Sequence, residues 1–201
     1  MGEYIEVRWH GRAQQGVVTA AKVLAETCLK SGRYVQAFPE FGPERMGAPV
    51  KAYNRVSDEP ITLHCQVTNP RYVLIADPTL IGIKLSGGME SSGGVTEGTG
   101  DDAVFVVNTS LPAETMRTKL ELDGKKAAVF VIDAAKISLE TIGRLMPNTP
   151  MLGALAKATG LITLQDLIDD FKENYSDKYS PEVIEGNALA MKRGFDEVKS
   201  G

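Results

Sequence analysis

At 201 residues, with 43% hydrophobic and 24% charged side chains, the chain has the balance of a soluble globular protein and the length to bury one full core. A net charge of -4 draws it toward neither nucleic acid nor an anionic membrane, and no apolar run approaches the ~20 residues of a bilayer span. The reading is therefore one domain over residues 1–201, with no nucleic acid and no membrane as partner.

Met1 to Tyr4 pass into a strand pattern without the basic-then-apolar layout of a signal peptide, so a cytoplasmic location is expected. Ile5, Val7 and Trp9 alternate with Glu6 and Arg8, as in a strand with one polar face that ends near Trp9. Gly11 to Ala21 then join this strand to a helix that runs to about Lys30. Val17, Ala21, Leu24 and Cys28 share one face of that helix, Val18, Ala25 and Leu29 lie beside it, and Thr19, Lys22, Glu26 and Lys30 form a polar stripe. Tyr34 to Phe38 read as a second strand, and Val50 to Arg55 as a third. Ile61 to Cys65 are expected to return beside the third as a hairpin.

Tyr72 to Ala76, Ala103 to Asn108 and Ala127 to Asp133 are continuous apolar runs, the pattern of central parallel strands. They close on Asp77, Asn108 and Asp133, where α/β sheets place functional groups. The Gly- and Ser-rich stretch from Ser86 to Asp102 reads as a surface connector, because it lacks the G-K-[ST] of a phosphate loop. Pro112 to Leu122 suit a crossover helix or turn, and Ala134 to Met146 leave helix and strand both open. Asn148-Thr149-Pro150 opens a helix that stops at Gly160. Thr163 to Asp166 resemble a capping box, and Ser180-Pro181 opens the last helix, whose apolar face is Ile184, Ala188, Met191 and Phe195. The expected fold is α/β: a mixed, mostly parallel sheet with flanking helices and a helical C-terminal cap.

Cys28 and Cys65 are too few and too far apart for a zinc or iron–sulfur site and are expected as buried thiols. His10 and His64 are equally isolated, so no metal ligand set and no catalytic residue is assigned. The chemistry available is that of the first turn. A glycine turn between strand and helix aims free N–H groups at one point, a ready seat for an anion or a carbonyl oxygen. Gly11 and Gly16 are in place, but Ala13 stands where a dinucleotide fingerprint needs its middle glycine. Arg12, Gln14 and Gln15 suggest polar contacts to a ligand or to a neighbouring chain. The alternative is that the glycines serve strand–helix geometry alone. A second loop follows Phe38, where Phe41, Glu44, Arg45 and Met46 sit among Gly42, Pro43, Gly47, Ala48 and Pro49. Aromatic, Met and Arg residues on a stiff loop are the composition of an interface core or a substrate-cavity wall.

Together these segments resemble a known family. Gly11 to Ala21, Gln36 to Val50 and Ser57 to Ile61 are similar to the gamma subunit of the 2-oxoacid:ferredoxin oxidoreductases, the pyruvate synthase family. Asp77 to Leu80, Asn148 to Ala154 and Ala188 to Phe195 also look like it. The family's turn usually reads G-R-G-G-Q-G, so Ala13 and Gln14 replace two glycines here. That departure points toward an atypical substrate or altered coenzyme A use, as in a member that oxidises oxalate. The resemblance implies oxidative decarboxylation of a 2-oxoacid, with electrons passed to ferredoxin. It implies that thiamine diphosphate, Mg²⁺ and [4Fe-4S] clusters sit on partner alpha and beta, and in some members delta, subunits. This chain would carry no cofactor and no catalysis of its own; it would serve assembly, the substrate cavity and coenzyme A, in an anaerobic host. A stand-alone Rossmann-like nucleotide-binding protein is the alternative.

Overall fold

The computed structural model describes residues 4–41, 47–82 and 94–201. Among the described residues seven strands form one sheet in the order β2-β3-β1-β4-β5-β6-β7. They are β1 (Ile5–Arg12), β2 (Tyr34–Phe41), β3 (Pro49–Ser57), β4 (Tyr72–Ile75), β5 (Val104–Asn108), β6 (Ala128–Ile132) and β7 (Lys199–Ser200). β1 runs parallel to β4, β4 to β5 and β5 to β6, while β3 is antiparallel to both β1 and β2, and β7 to β6. Five strands therefore end at one edge of the sheet. At that edge the chain leaves β1 toward β2 and β3 on one side, and later crosses to β4, β5 and β6 on the other. The direction of winding reverses between β1 and β4, which in open α/β sheets opens a crevice beyond the strand ends.

The helices described over the sheet are α1 (Val17–Lys30), α2 (Ala113–Lys119), α3 (Ala134–Ile142), α4 (Asn148–Thr159), α5 (Leu164–Tyr175) and α6 (Pro181–Glu197). One sheet face presents Val7, Trp9, Ala52, Val56, Leu74, Val106 and Ile132 to α1 and α3 to α6 in a single core. The opposite face of β4 to β6 presents Val73, Ile75, Phe105, Val107, Val129 and Val131 to Ala113 and Met116 of α2 and to Leu80, Val95 and Leu122. These strands are apolar on both faces because both are covered, which is why their sequences read as unbroken apolar runs.

Within the first core a polar chain ties three elements together. The Trp9 indole N–H donates to Asn54 Oδ1 at 2.9 Å, and Asn54 Nδ2 donates to the Ala21 carbonyl at 2.7 Å. All residues from Asn148 to Ala156 of α4 are buried. α6 crosses α4 so closely that a Cβ on Gly153 would lie 1.9 Å from the Met191 carbonyl oxygen, and one on Gly194 the same distance from that of Pro150.

Several expectations change in the folded chain. β1 reaches Arg12 rather than Trp9, because it pairs with β3 along its whole length. β2 continues through Pro39 to Phe41; it is an edge strand, where a missing N–H can face outward. Ile61 to Cys65 form no strand. Their carbonyls serve as acceptors instead: Leu63 from Gln36 at 2.9 Å and Cys65 from Arg55 at 3.2 Å. Cys65 is exposed and only Cys28 is buried, its thiol pushed up to about 11 by desolvation. Leu29 is exposed as well. Ala134 to Ile142 resolve as helix, started by Asp133, whose Oδ1 accepts the Lys136 N–H at 3.0 Å. Of the Ser86 to Asp102 stretch, residues 83–93 lie outside the described residues, and Val95 is a buried member of the second core.

The polar face expected for β1 is covered rather than solvated. Arg8 and His10 are each 4% exposed and Arg55 is 1%. Arg8 donates to the Val95 carbonyl at 3.1 Å and to that of Glu97 at 2.7 Å, and Arg55 pairs with Glu6 at 2.7 Å. Burial, together with the charges of Arg8 and Lys51, holds His10 well below the usual imidazole range and therefore neutral.

Candidate functional site

The Gly11 to Gly16 turn stands at the reversal of winding, between the ends of β1 and β4. Gly11 lies in the last pair of β1 residues with Val17 packed over it; a Cβ there would come 2.6 Å from Val17 Cγ1. Gly16 is the N-cap of α1 with φ 75°, and no side chain caps the helix. A Cβ at Gly16 would also meet the Asn148 amide carbon at 2.6 Å. Only glycine satisfies both the backbone angle and the space.

Between the glycines the side chains turn inward onto Asp77. The Arg12 N–H donates to Gln15 Oε1 at 2.8 Å, and Gln15 Nε2 donates to Asp77 Oδ2 at 2.9 Å. Arg12 Nε lies 3.1 Å from the same carboxylate oxygen. Its terminal nitrogens donate to the Gly47 carbonyl at 2.8 Å and to Thr79 Oγ1 at 3.0 Å. Asp77 in turn accepts the Thr79 N–H at 2.9 Å and the Thr79 hydroxyl at 2.6 Å. Desolvation alone would raise the Asp77 carboxyl, but Thr79, Gln15 and Arg12 outweigh it, and the group sits below the usual carboxylate range. Arg12 has five N–H donors, and this network uses three of them. The guanidinium is fixed and partly exposed, and two of its donors have no partner among the described residues. Gln14 is exposed at φ 75°, a conformation that costs a residue with a Cβ. Ala13 packs against the first core and donates its N–H to the Ala48 carbonyl at 3.2 Å.

The same edge gathers the other strand ends. Asn108 Nδ2 donates to the Ala76 carbonyl at 2.8 Å, and its Oδ1 accepts the Ala135 N–H at 3.1 Å. These are ties between strands and helix, not free ligand groups. Asn148, the first residue of α4, is 3% exposed. Its Oδ1 is buried and has no hydrogen-bond partner among the described residues. The sequence marked Asp77 as the end of an apolar run and Asn148 as the start of a helix. It did not show that both flank the first turn, since that juxtaposition joins segments more than sixty residues apart.

Glu44, Arg45 and Met46 lie outside the described residues, and of Phe41 only the backbone, the last residue of β2, is described. Nearby, the Tyr53 hydroxyl donates to Glu40 Oε2, and Phe38 packs on the Tyr53 ring at a centroid distance of 5.3 Å. Among the described residues no cluster of three His, Cys, Asp or Glu side chains could hold a metal ion, and no helix is long and apolar enough to cross a membrane.

The chain matches the family model of pyruvate ferredoxin/flavodoxin oxidoreductase over residues 6–197. It is 43% identical over 197 residues to pyruvate synthase subunit PorC of Thermotoga maritima, an alignment that covers 98% of this chain and 96% of the relative. The crystal structure of pyruvate oxidoreductase subunit PORC from the same organism superposes with a TM-score of 0.83 at 40% identity, covering 99% of each chain. The 2-oxoglutarate:ferredoxin oxidoreductase of Magnetococcus marinus shares the fold, with a TM-score of 0.72 at 18% identity, over 96% of this chain and 31% of that one. The chain belongs to the pyruvate ferredoxin/flavodoxin oxidoreductase family. Its full-length relatives are subunits of an oxidoreductase complex, a role that fits this chain, and a stand-alone nucleotide-binding protein is not favoured.

Proposed function

We propose that this chain is the gamma subunit of a 2-oxoacid:ferredoxin oxidoreductase that decarboxylates pyruvate oxidatively. The observation that carries this reading is the end-to-end match to a pyruvate synthase subunit. Thiamine diphosphate, Mg²⁺ and the iron–sulfur clusters are assigned to the alpha, beta and, where present, delta partners. In support, the chain's two cysteines are one buried in α1 and one exposed, not a four-thiolate set. The subunits would work together in the cytoplasm and hand electrons to ferredoxin.

The chain's own part is binding and shape. The turn from Gly11 to Gly16, with Arg12, Gln14 and Gln15, is assigned to the acyl-accepting coenzyme. The Magnetococcus marinus enzyme was solved with 2-oxoglutarate, coenzyme A and succinyl-CoA bound. The start of α1, which no side chain caps, and the partly exposed Arg12 guanidinium suit phosphate oxygens. Phe41, Glu44, Arg45 and Met46 are assigned to the partner chains and the substrate cavity on composition.

The test is an oxygen-free purification through a tag on this chain. Stoichiometric partner chains, with thiamine and iron, and dye reduction on pyruvate that requires coenzyme A are the expected result. Activity on oxalate without coenzyme A would replace the substrate assignment, and a colourless chain without partners would end the subunit reading. In the same preparation, Arg45→Ala is expected to lower the recovery of partner chains at least several-fold. Full recovery with lost turnover would move Arg45 from the interface to the cavity.

A further inference from the structure

We propose that Asp77 is the positioning residue of the Gly11 to Gly16 turn: acting through Gln15 and Thr79, it holds the Arg12 guanidinium in the pose that meets the coenzyme. The proposal rests on the assignment of that turn to coenzyme A. It gives Asp77 and Gln15 the part of holding Arg12, not of touching the ligand.

Asp77 is itself held on a rigid element. It follows β4, where Ala76 is tied on both sides: its N–H donates to the His10 carbonyl at 2.7 Å, and its carbonyl accepts Asn108 Nδ2 at 2.8 Å. Pro78 then fixes the next φ. The Asp77 residue is 8% exposed, and its two carboxylate oxygens do different work. Oδ1 accepts the Thr79 N–H at 2.9 Å and the Thr79 hydroxyl at 2.6 Å, which caps a single turn of 3₁₀ helix from Pro78 to Leu80. A cap needs no more than that oxygen. Oδ2 accepts Gln15 Nε2 at 2.9 Å and faces Arg12 Nε at 3.1 Å, contacts that serve the turn and nothing in β4.

These bonds close around Arg12. Gln15 has both ends of its amide committed, Nε2 to Asp77 and Oε1 to the Arg12 N–H at 2.8 Å. Thr79 gives its one hydroxyl proton to Asp77 and accepts Arg12 Nη2 at 3.0 Å. Arg12 therefore meets the same carboxylate three ways: directly, through Gln15 and through Thr79. Its Nη1 reaches the Gly47 carbonyl at 2.8 Å, so its far end is fixed as well. The Arg12 side chain nevertheless stays 30% exposed. A mobile arginine loses rotamer freedom when it binds a phosphate, and one already ordered by Asp77 does not. The Asp77 carboxyl sits below its usual range, so this anchor stays charged at neutral pH.

The test measures kcat and the KM values for coenzyme A and pyruvate on the oxygen-free complex. The native protein is compared with Asp77→Asn, Gln15→Glu, the two combined, and Thr79→Val. An asparagine offers one oxygen, so it cannot serve Thr79 and the turn at once. Asp77→Asn is expected to raise the KM for coenzyme A about fivefold to tenfold, the effect of leaving one long side chain unordered. The KM for pyruvate should stay within about twofold, the signature of lost coenzyme binding alone. Gln15→Glu sets a second carboxylate against Asp77 and should raise the KM for coenzyme A too. In the double variant the amide and the acid have changed places and the hydrogen bond re-forms with its donor reversed, so that KM should fall below that of either single variant. An unchanged KM for coenzyme A in Asp77→Asn overturns the proposal, as does an equal rise in both KM values or a double variant no better than the singles. If Asp77→Asn does not assemble, Thr79→Val decides, since it keeps the carboxylate and removes one anchor of Arg12. A selective rise in its KM for coenzyme A supports the proposal and no change overturns it. Failure of both to assemble overturns it as well, because the network then serves folding. A native complex that turns over pyruvate without coenzyme A overturns the assignment of the turn instead, a result seen before any variant is made.

Discussion

Gln14 carries a penalty that its position makes visible. At φ 75° its Cβ crowds the backbone, and its exposed side chain makes no hydrogen bond within the described residues. Gln14→Gly should therefore stabilise the chain by about 1 kcal/mol, read as a raised urea midpoint with unchanged slope. Ala13 differs: its side chain packs on the core, so the two departures from a glycine-rich turn are not equivalent. Two buried acids give opposite pH signatures. The Asp77 carboxyl is depressed, so its stabilisation is complete above the ordinary carboxylate range and is lost as pH falls through the lowered value. The Asp170 carboxyl is raised by desolvation, only partly offset by the Thr27 hydroxyl and Lys30. Its charged form is disfavoured in the folded chain, and stability is lost as pH rises through the raised value. Melting curves against pH should show Asp77→Asn most damaging near neutrality and nearly silent in acid. Asp170→Asn should improve relative to the native chain as pH rises from 3 to 7, a window that spans the unperturbed carboxylate value of about 4.

At the scale of elements, the meeting of α4 and α6 decides the helical layer. Backbone touches backbone at Gly153 and Gly194, so neither helix can accept a methyl group without moving away. Gly153→Ala or Gly194→Ala is expected to cost about 3 kcal/mol, because the displaced layer covers the whole first core. A drop in melting temperature of only a degree or two would show that α6 can slide freely on α4. α5 depends on its start instead, where Thr163 Oγ1 accepts the Asp166 N–H at 3.0 Å. Thr163→Ala should cost about 1 kcal/mol, a loss confined to α5 in hydrogen-exchange protection.

Over the whole molecule, the sheet has two unlike halves on one of its faces. Across β4 to β6 it is apolar and sealed by α2; across β1 to β3 it carries Arg8, Tyr53 and Arg55, buried and bonded to loop carbonyls and carboxylates, and the buried His10, whose Nε2 has no partner among the described residues. The two-residue β7 pairs with Phe130 and Val131 and blunts the far edge. Removal of Lys199 to Gly201 should leave the melting temperature within a few degrees yet increase aggregation on heating, as light scattering would show, because an unpaired apolar edge strand seeks a partner.

Much of this protein was legible in the order of its residues. The apolar runs ending at Asp77, Asn108 and Asp133 are central strands because a strand buried on both faces cannot afford polar positions. The helices from Asn148 and Thr163 begin where local signals put them, since those signals act within one turn. Gly11 and Gly16, with the segments around them, carried the family. The tertiary structure alone decided what surrounds these pieces. Arg8 looked solvated because alternation reports a face, not what lies over it; the carbonyls of Val95 and Glu97 meet it there. Cys65 looked buried because it closes a strand-like run, Ile61 to Cys65, and that strand does not form. Asn148 looked like a helix start and nothing more. Its place beside Gly16 joins residues 132 positions apart, 148 minus 16, and such a contact exists only once the sheet has set the two helices side by side.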